Sequence, residues 1–260
     1  MAAGEGSMAA GIGVHGGVLL LSIAVVFVAG SLQSITGFGF ALLAVPLLSL
    51  ALPPATAVVA VFFLGASSSL LTLLANHDAI VWVEARRLSL GAVVAMPAGA
   101  VLLVHTSPAT LRAILGVSTC AVAVWMLLPT RTVERTPAPR PVLSYVAGAC
   151  SGVLNTSLAT NGPPLVAYLR TRQLPPKSFR STISVVFSIS NVVGLGILFG
   201  VGAVHRTPVV LFAVTFLPGL FGWAIGQRLA TKIPAHAFDR MVDGLLLVSG
   251  ILALAKAVAG

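Results

Sequence analysis

The sequence predicts an all-α integral membrane protein made of two inverted-topology repeats of about five helical segments each. Three observations support this fold class: the apolar composition, the recurrence of apolar runs, and the uneven distribution of basic residues between loops. Of the 260 residues, 57% are hydrophobic and only 8% are charged, and the mean hydropathy is +1.04. A typical soluble domain has about a quarter of its residues charged, so we expect this chain to lie in a lipid bilayer.

Ten apolar segments recur along the chain, and about 20 apolar residues suffice to cross a hydrocarbon core about 30 Å thick. The second and seventh segments are too short to span comfortably, and each follows a polar stretch interrupted by Gly or Pro. We therefore expect broken or re-entrant helices there, at the repeat interface. In order, the segments cover residues 16–33, 38–51, 55–75, 88–105, 110–128, 142–158, 164–169, 183–202, 209–225 and 242–258.

The hydrophilic interval 129–141, PTRTVERTPAPRP, is rich in proline and predicts a stiff cytoplasmic linker between two halves. An N-terminal tail over residues 1–15 precedes the first membrane repeat, 16–128, and the second membrane repeat covers 142–260. The first apolar segment lacks a basic region before it and an A-x-A pattern after it. We therefore expect a retained helix rather than a cleaved signal peptide.

The two halves share a weak internal repeat. Gly30 and Gly148 lie 118 residues apart, and Pro46 and Pro164 are related by the same offset. Repeats of this kind are common in secondary transporters, where interrupted segments in corresponding positions indicate the binding site.

The basic residues of the loops indicate how the halves are oriented. If all ten segments cross, twelve basic residues lie on one face and three on the other, a bias that places the twelve in the cytoplasm and both termini in the periplasm. An odd number of segments per half then makes the repeats inverted. The twelve are Arg86, Arg87, Arg131, Arg135, Arg140, Arg170, Arg172, Lys177, Arg180, Arg228, Lys232 and Arg240, and the three are Arg112, Arg206 and Lys256.

The first polar break precedes the second segment in the run GSLQSITGFGF. Irregular backbone at membrane depth is tolerated only where it faces protein or a wet cavity. The helix that restarts after it would direct free N–H groups and a positive dipole end at the break, which suits an anion. Small residues here also suit close helix packing. The predicted substrate-binding residues of this break are Gln33, Ser34, Thr36, Gly37, Phe38 and Gly39.

The second break, LNTSLATNGPP, places uncharged polar residues ahead of two prolines that mark a helix restart. Five polar side chains in one apolar setting exceed what packing needs, although any one of them could serve as a helix cap. The predicted substrate-binding residues of this break are Asn155, Thr156, Ser157, Thr160, Asn161 and Gly162.

A third polar set occupies the middle of the third and eighth segments. Ser67, Ser68 and Ser69 interrupt the third segment, while Ser184, Ser188 and Asn191 share one helical face of the eighth. Serine hydroxyls can bond to their own helix, so cavity lining and packing remain alternatives for them. An amide within a helix needs a partner, and we add Ser188 and Asn191 to the predicted substrate-binding set.

Several functions are not expected. Cys120 and Cys150 lie apart and lack the spacing of a metal site, and no nucleophile clusters with a base. We predict no catalytic residues, metal, cofactor or enzymatic activity. The net charge of +9 lies in short loops, so no nucleic acid is expected as a partner. None of the six acids lies deep inside an apolar segment, which argues against a carboxylate relay.

Four runs resemble the TauE/SafE sulfite exporter family, also called the TSUP family. They are LQSITGFGFALLAVPLL, GACSGVLNTSLATNGPPLVAYL, PATLRAILGV and PAHAFDRMVDGLLLV. The resemblance covers residues 21–257 and implies movement of small, mostly sulfur-containing anions such as sulfite, sulfoacetate or other sulfonates across the bacterial inner membrane.

The residues and the resemblance together predict a multi-pass secondary transporter of the bacterial inner membrane that moves a small anion by alternating access. The expected partners are the anion, the lipid bilayer and a coupling ion, H⁺ or Na⁺, if there is one; the oligomeric state is left open. The alternatives are a passive anion channel and, from other classes, a membrane-embedded enzyme or a scaffold. Saturable counterflow would distinguish a carrier from all of these.

Overall fold

The computed structural model describes residues 16–36, 38–75, 77–127 and 141–229, together with 251, 254, 255 and 258. These residues form helices joined by short turns, with no strand in the described part. The all-α fold class is therefore confirmed. The helices are α1 (Gly16–Thr36), α2 (Phe40–Ser49), α3 (Pro54–Ala75), α4 (Trp82–His105), α5 (Pro108–Leu127), α6 (Pro141–Leu158), α7 (Gly162–Thr171), α8 (Pro176–Gly200) and α9 (Arg206–Leu229).

Five helices, α1, α3, α4, α8 and α9, are long and apolar enough to span a membrane. Their outer faces are also apolar: Val94 is 79% exposed, and Leu217 and Phe221 project from α9. Such side chains are stable in contact with lipid rather than water. The protein is therefore a multi-pass membrane protein.

The two short helices, α2 and α7, have ten residues each. At a rise of 1.5 Å per residue, each is about 15 Å long, half the thickness of a hydrocarbon core. Left-handed backbone precedes both helices, at Gly39 (φ 98°) and at Ala159 (φ 56°). The broken helices predicted from the sequence are present in both halves.

The helix boundaries give a more regular repeat than the sequence predicted. The two broken helices, α1 and α6, end at Thr36 and Leu158. The short helices α2 and α7 have the same length and begin and end at equivalent positions. The next helices, α3 and α8, begin at Pro54 and Pro176. Each of these pairs is 122 residues apart. The 118-residue register of Gly30 with Gly148 differs from this by four residues, about one helical turn.

The helices of one half pack mainly on those of the other. The most extensive contacts join α4 to α6 and α1 to α9, and α3 meets α8 between them. The 122-residue register makes α1 equivalent to α6 and α4 equivalent to α9. The contact of α4 with α6 is therefore equivalent to the contact of α9 with α1. This symmetry is compatible with an inverted repeat, whose orientation relative to the membrane stays a prediction.

Glycines allow both pairs of helices to approach closely. A Cβ at Gly148 or Gly152 of α6 would overlap the backbone of Leu88 or Ala92 in α4. A Cβ at Gly222 of α9 would overlap the carbonyl of Phe27 in α1. Small residues at such contacts are characteristic of membrane helix pairs.

The fourth membrane helix begins earlier than the sequence predicted. The fourth apolar segment was expected to begin at residue 88, but α4 begins at Trp82 and includes Glu84, which is 3% exposed. An acid thus lies buried at the start of a membrane-spanning helix. The predicted tail, the linker and the tenth segment, 242–258, lie outside the described residues or almost entirely so, and the domain boundaries stay predictions.

Candidate functional site

A cleft lies between the two helix breaks, with about 430 Å³ of empty space including its mouth. Residues from both breaks and from the middle of α3 and α8 line it. The lining residues are Gln33, Phe38, Gly39, Phe40, Ala41, Leu42, Val61, Phe62, Gly65, Ser69, Ala159, Thr160, Asn161, Gly162, Phe187 and Asn191.

The N-terminus of α2 forms one side of the cleft. No side chain caps this end at Gly39, and the first hydrogen bond of the helix runs from Leu43 N to Gly39 O at 3.2 Å. The three residues between them, Phe40, Ala41 and Leu42, all line the cleft. The first N–H groups of a helix lack intrahelical acceptors and carry the positive end of its dipole. They are well placed to bind an anion.

The N-terminus of α7 lies on the opposite side but offers fewer donors. Pro163 and Pro164 occupy the first turn and have no N–H group. Ser151 Oγ of α6 donates a hydrogen bond of 2.8 Å to Asn161 O, which holds the residue before α7 against α6. The predicted residues Thr160, Asn161 and Gly162 all line the cleft. Side chains therefore supply most of the donors on this side.

Gln33 and Asn191 bring two amides to the cleft. Gln33 is 4% exposed, and its Oε1 has no hydrogen-bond partner among the described residues. Asn191 Nδ2 donates a hydrogen bond of 2.9 Å to Ser69 Oγ, joining α8 to α3. The partner that the sequence analysis required for Asn191 is therefore Ser69. These two residues are related by the 122-residue register, so the bond joins equivalent positions of the halves.

The cleft also has an apolar wall, which the sequence analysis missed except for Phe38. It consists of Phe38, Phe40, Val61, Phe62 and Phe187. Gly65 is the position equivalent to Phe187 in the 122-residue register, and it lies beside Asn191. Phenylalanines in an apolar membrane chain carry no distinguishing signal, so only the correct repeat register could have indicated them.

Other predicted residues contact their own or neighbouring helices and do not line the cleft. Ser34 lies against Gly226 of α9, and its Oγ donates to Ser31 O at 3.1 Å. Thr156 Oγ1 donates to Met96 O of α4 at 2.6 Å. Ser157 Oγ donates to Val153 O, one turn earlier in its own helix, at 2.7 Å. None of these three side chains lines the cleft.

Asn155 and Ser188 are also absent from the lining. Asn155 is 1% exposed, and neither of its side-chain polar atoms has a partner among the described residues. The Ser188 hydroxyl is likewise without a partner there. Gly37 and the side chain of Thr36 lie outside the described residues.

Arg180 is a functional candidate that the sequence analysis placed in a loop. It belongs to the first turns of α8, which begins at Pro176 rather than at residue 183. Its Nη2 donates to Ser34 O at 2.9 Å and also to Ile35 O. A guanidinium from the second half thus caps the C-terminal end of α1, beside the cleft.

A second charged cluster holds the far end of α7. Tyr168 donates from its hydroxyl to Glu84 Oε2 at 2.7 Å, and Arg172 Nε lies 3.1 Å from Glu84 Oε1. The carboxylate joins α7 to α4. The cluster is separate from the cleft, since none of the three residues lines it.

Short helices that meet at a cleft inside a bundle of membrane-spanning helices define an architecture typical of secondary transporters. The chain belongs to the sulfite exporter TauE/SafE family, whose sequence model matches residues 21–253. The predicted family membership is therefore confirmed.

One relative is similar over part of its length. A stretch of 101 residues is 35% identical to the probable inner membrane transporter protein TsaS of Comamonas testosteroni. The match covers 38% of this chain and 42% of that protein. No solved structure matches the chain.

Proposed function

We propose that this protein is a secondary transporter that moves a small, sulfur-containing anion, such as sulfite or a sulfonate, across the bacterial inner membrane by alternating access. The observation that carries the proposal is the cleft at which the free N-terminus of α2 meets the polar residues of the second break. The family and the inner membrane transporter relative support the same class of activity.

The chemistry of the lining favours an anion over a cation. No carboxylate lies among the described residues that line the cleft. The donors are backbone N–H groups of α2 and the side chains of Gln33, Thr160 and Asn161. Preoriented N–H dipoles in a poorly hydrated site stabilise an oxyanion more than a neutral molecule of the same shape. A sulfonate or sulfite fits this arrangement.

Exchange of the two halves supports alternating access. The pairs α4 with α6 and α1 with α9 are equivalent under the repeat, and the cleft lies between them. Rocking of such equivalent units around a fixed site is the usual mechanism of transporters with internal repeats. A coupling proton could travel on the anion itself, because the described lining contains no acid to carry it; Na⁺ coupling at backbone carbonyls and uncoupled transport remain alternatives.

A charge introduced at Thr160 tests the anion site. Thr160→Asp would place a negative charge about 6 Å from a bound anion, which costs about 3 kcal/mol at an effective dielectric constant near 20, or roughly 100-fold in affinity. Thr160→Asn is the matched uncharged control. Binding of sulfite and of sulfonates is measured on purified protein by isothermal titration calorimetry. Equal binding by both variants would contradict an anion at this break.

Transport itself is measured in proteoliposomes that contain the protein and are loaded with an anion that calorimetry has shown to bind. A carrier should give saturable counterflow of labelled anion against an unlabelled gradient. A passive anion channel should give flux without counterflow. Counterflow of a cation or a neutral solute instead would overturn the proposed function.

A further inference from the structure

The described contacts at the ends of the two broken helices differ, although the helices occupy equivalent positions. At the end of α6, the left-handed Ala159 lets the backbone close on itself. Ala159 N donates to Asn155 O at 2.7 Å, and Thr160 N donates to Leu154 O at 3.2 Å. This is the usual backbone closure of a helix C-terminus, and it brings no charge to the break.

At the end of α1, a cation binds carbonyl groups of the last described turn. Arg180 donates from one guanidinium nitrogen to the carbonyl oxygens of Ser34 and Ile35. In the 122-residue register, the position equivalent to Arg180 in the first half is Val58, a buried apolar residue. The guanidinium is therefore not part of the repeated scaffold.

Arg180 also differs from the cation nearest to it on the same helix. Lys177 is exposed and pairs with Asp78 outside the membrane-spanning core. Arg180 is partly buried, and its described hydrogen bonds lead to neutral backbone carbonyls. An arginine keeps its charge in such surroundings. A positive charge is thus held beside the cleft with no described acid bonded to it.

The charge lies close enough to act on a bound anion. Gln33 lines the cleft and is the chain neighbour of Ser34, whose carbonyl binds Arg180. The carbonyl end of a helix carries a partial negative charge of about half a unit, which would repel an anion in the cleft. The guanidinium reverses the sign of the field at this end of α1.

We propose that Arg180 is a positioning residue that sets the charge preference of the cleft: it holds the last turn of α1 and supplies the positive field that favours more highly charged anions. This inference rests on the proposed function. The inference adds to the proposed function by assigning anion selectivity to a side chain that does not line the cleft.

The test compares two sulfonates of different charge, methanesulfonate with one negative charge and sulfoacetate with two. A unit charge roughly 12 Å from the ligand contributes about tenfold in affinity per ligand charge at an effective dielectric constant near 20. Arg180→Gln should therefore weaken methanesulfonate about tenfold and sulfoacetate about 100-fold. The ratio of the two affinities, measured by calorimetry, should fall about tenfold.

Arg112→Gln is the matched control. Arg112 Nε donates to Ser49 O at 3.3 Å, so it caps the C-terminus of α2 as Arg180 caps that of α1. Ser49 lies seven residues beyond Leu42, the last cleft-lining residue of α2, or about 10 Å along the helix. Because Arg112 lies farther from the cleft, Arg112→Gln should lower the affinity ratio less than Arg180→Gln does. An equal shift of the ratio in both variants would overturn the inference.

The ratio is independent of the folded fraction, which separates an electrostatic effect from loss of structure. Arg180→Lys keeps the charge and should hold the ratio within about threefold. An unchanged ratio in Arg180→Gln, or a tenfold fall in Arg180→Lys, overturns the inference while the proposed function stands. If the native protein binds neither sulfonate, the inference fails. If it also does not bind sulfite, or binds the neutral dimethyl sulfone as tightly as the anions, the proposed function fails as well.

Discussion

The close contact between α4 and α6 makes a quantitative prediction for Gly152. A Cβ at this position would lie 2.7 Å from both the carbonyl carbon and the Cα of Ala92. These are backbone atoms, so no flexible side chain can move aside. Ordinary contact begins at about 3.4 Å, so the helices would have to separate by about 1 Å. A gap of that size loses a quarter to a half of the van der Waals attraction across it.

We therefore expect Gly152→Ala to lower the free energy of unfolding by about 3 kcal/mol, the upper end of the range for overpacked interiors. Gly196→Ala in α8 is the matched control, because nothing lies within 4 Å of its built Cβ. Alanine in a helix interior gains up to about 1 kcal/mol over glycine. The two variants should then differ by about 3 to 4 kcal/mol.

The measurement is thermal unfolding of the purified protein in detergent, followed by circular dichroism. Gly222→Ala should show a loss similar to that of Gly152→Ala, because its Cβ would overlap the carbonyl of Phe27 across the equivalent pair α1 and α9. Equal stability of Gly152→Ala and Gly196→Ala would refute the close approach of α4 and α6.

Three further predictions concern other contacts. Asn191→Ala removes a buried 2.9 Å hydrogen bond and should cost about 1 to 3 kcal/mol of stability together with some anion affinity; unfolding and calorimetry check both, and an unchanged affinity would remove Asn191 from the site. Glu84→Ala breaks the ion pair that holds α7 and should lower the free energy of unfolding by about 3 to 5 kcal/mol. Glu84→Gln can still accept the Tyr168 hydrogen bond and should lower it less. Equal losses of stability in thermal unfolding would contradict this. With both native cysteines replaced by alanine, Gln173→Cys should be protected from an impermeant thiol reagent outside intact cells and His205→Cys should be labelled; the reverse pattern would refute the predicted orientation.

The sequence was sufficient to predict both helix breaks because glycine, proline and uncharged polar residues cluster there, and irregular backbone in a membrane must face protein or a wet cavity. It was also sufficient to predict that Asn191 needs a partner. The register of the repeat was harder to obtain. Gly30, Gly148 and Pro164 each have other small residues within about one helical turn, so more than one alignment of the two halves is possible. Matching letters therefore placed the halves four residues away from the match given by the helix ends.

The residues whose contacts differ from the sequence expectation have physical reasons in common. Thr156 and Ser157 are polar, but their hydroxyls bond to backbone carbonyls of α4 and α6, an outcome that composition cannot distinguish from ligand binding. Arg180 and Glu84 were placed in loops because hydropathy ends a segment at the first charge. Both helices extend beyond that point, since the charges find partners inside the protein.

The exchange of partners between the halves has a consequence for biosynthesis. The last residue of α1 is separated from the first residue of α9, its main partner, by 170 positions. At about 5 to 20 residues per second, a ribosome needs roughly 10 to 35 seconds to make that stretch. During this time the face of α1 that packs on α9 is in the bilayer without its partner, and α4 lacks its partner α6 in the same way. Neither half can bury its own interface, so the two halves are expected to assemble when they are expressed as separate chains in one cell, and to be degraded when either is expressed alone.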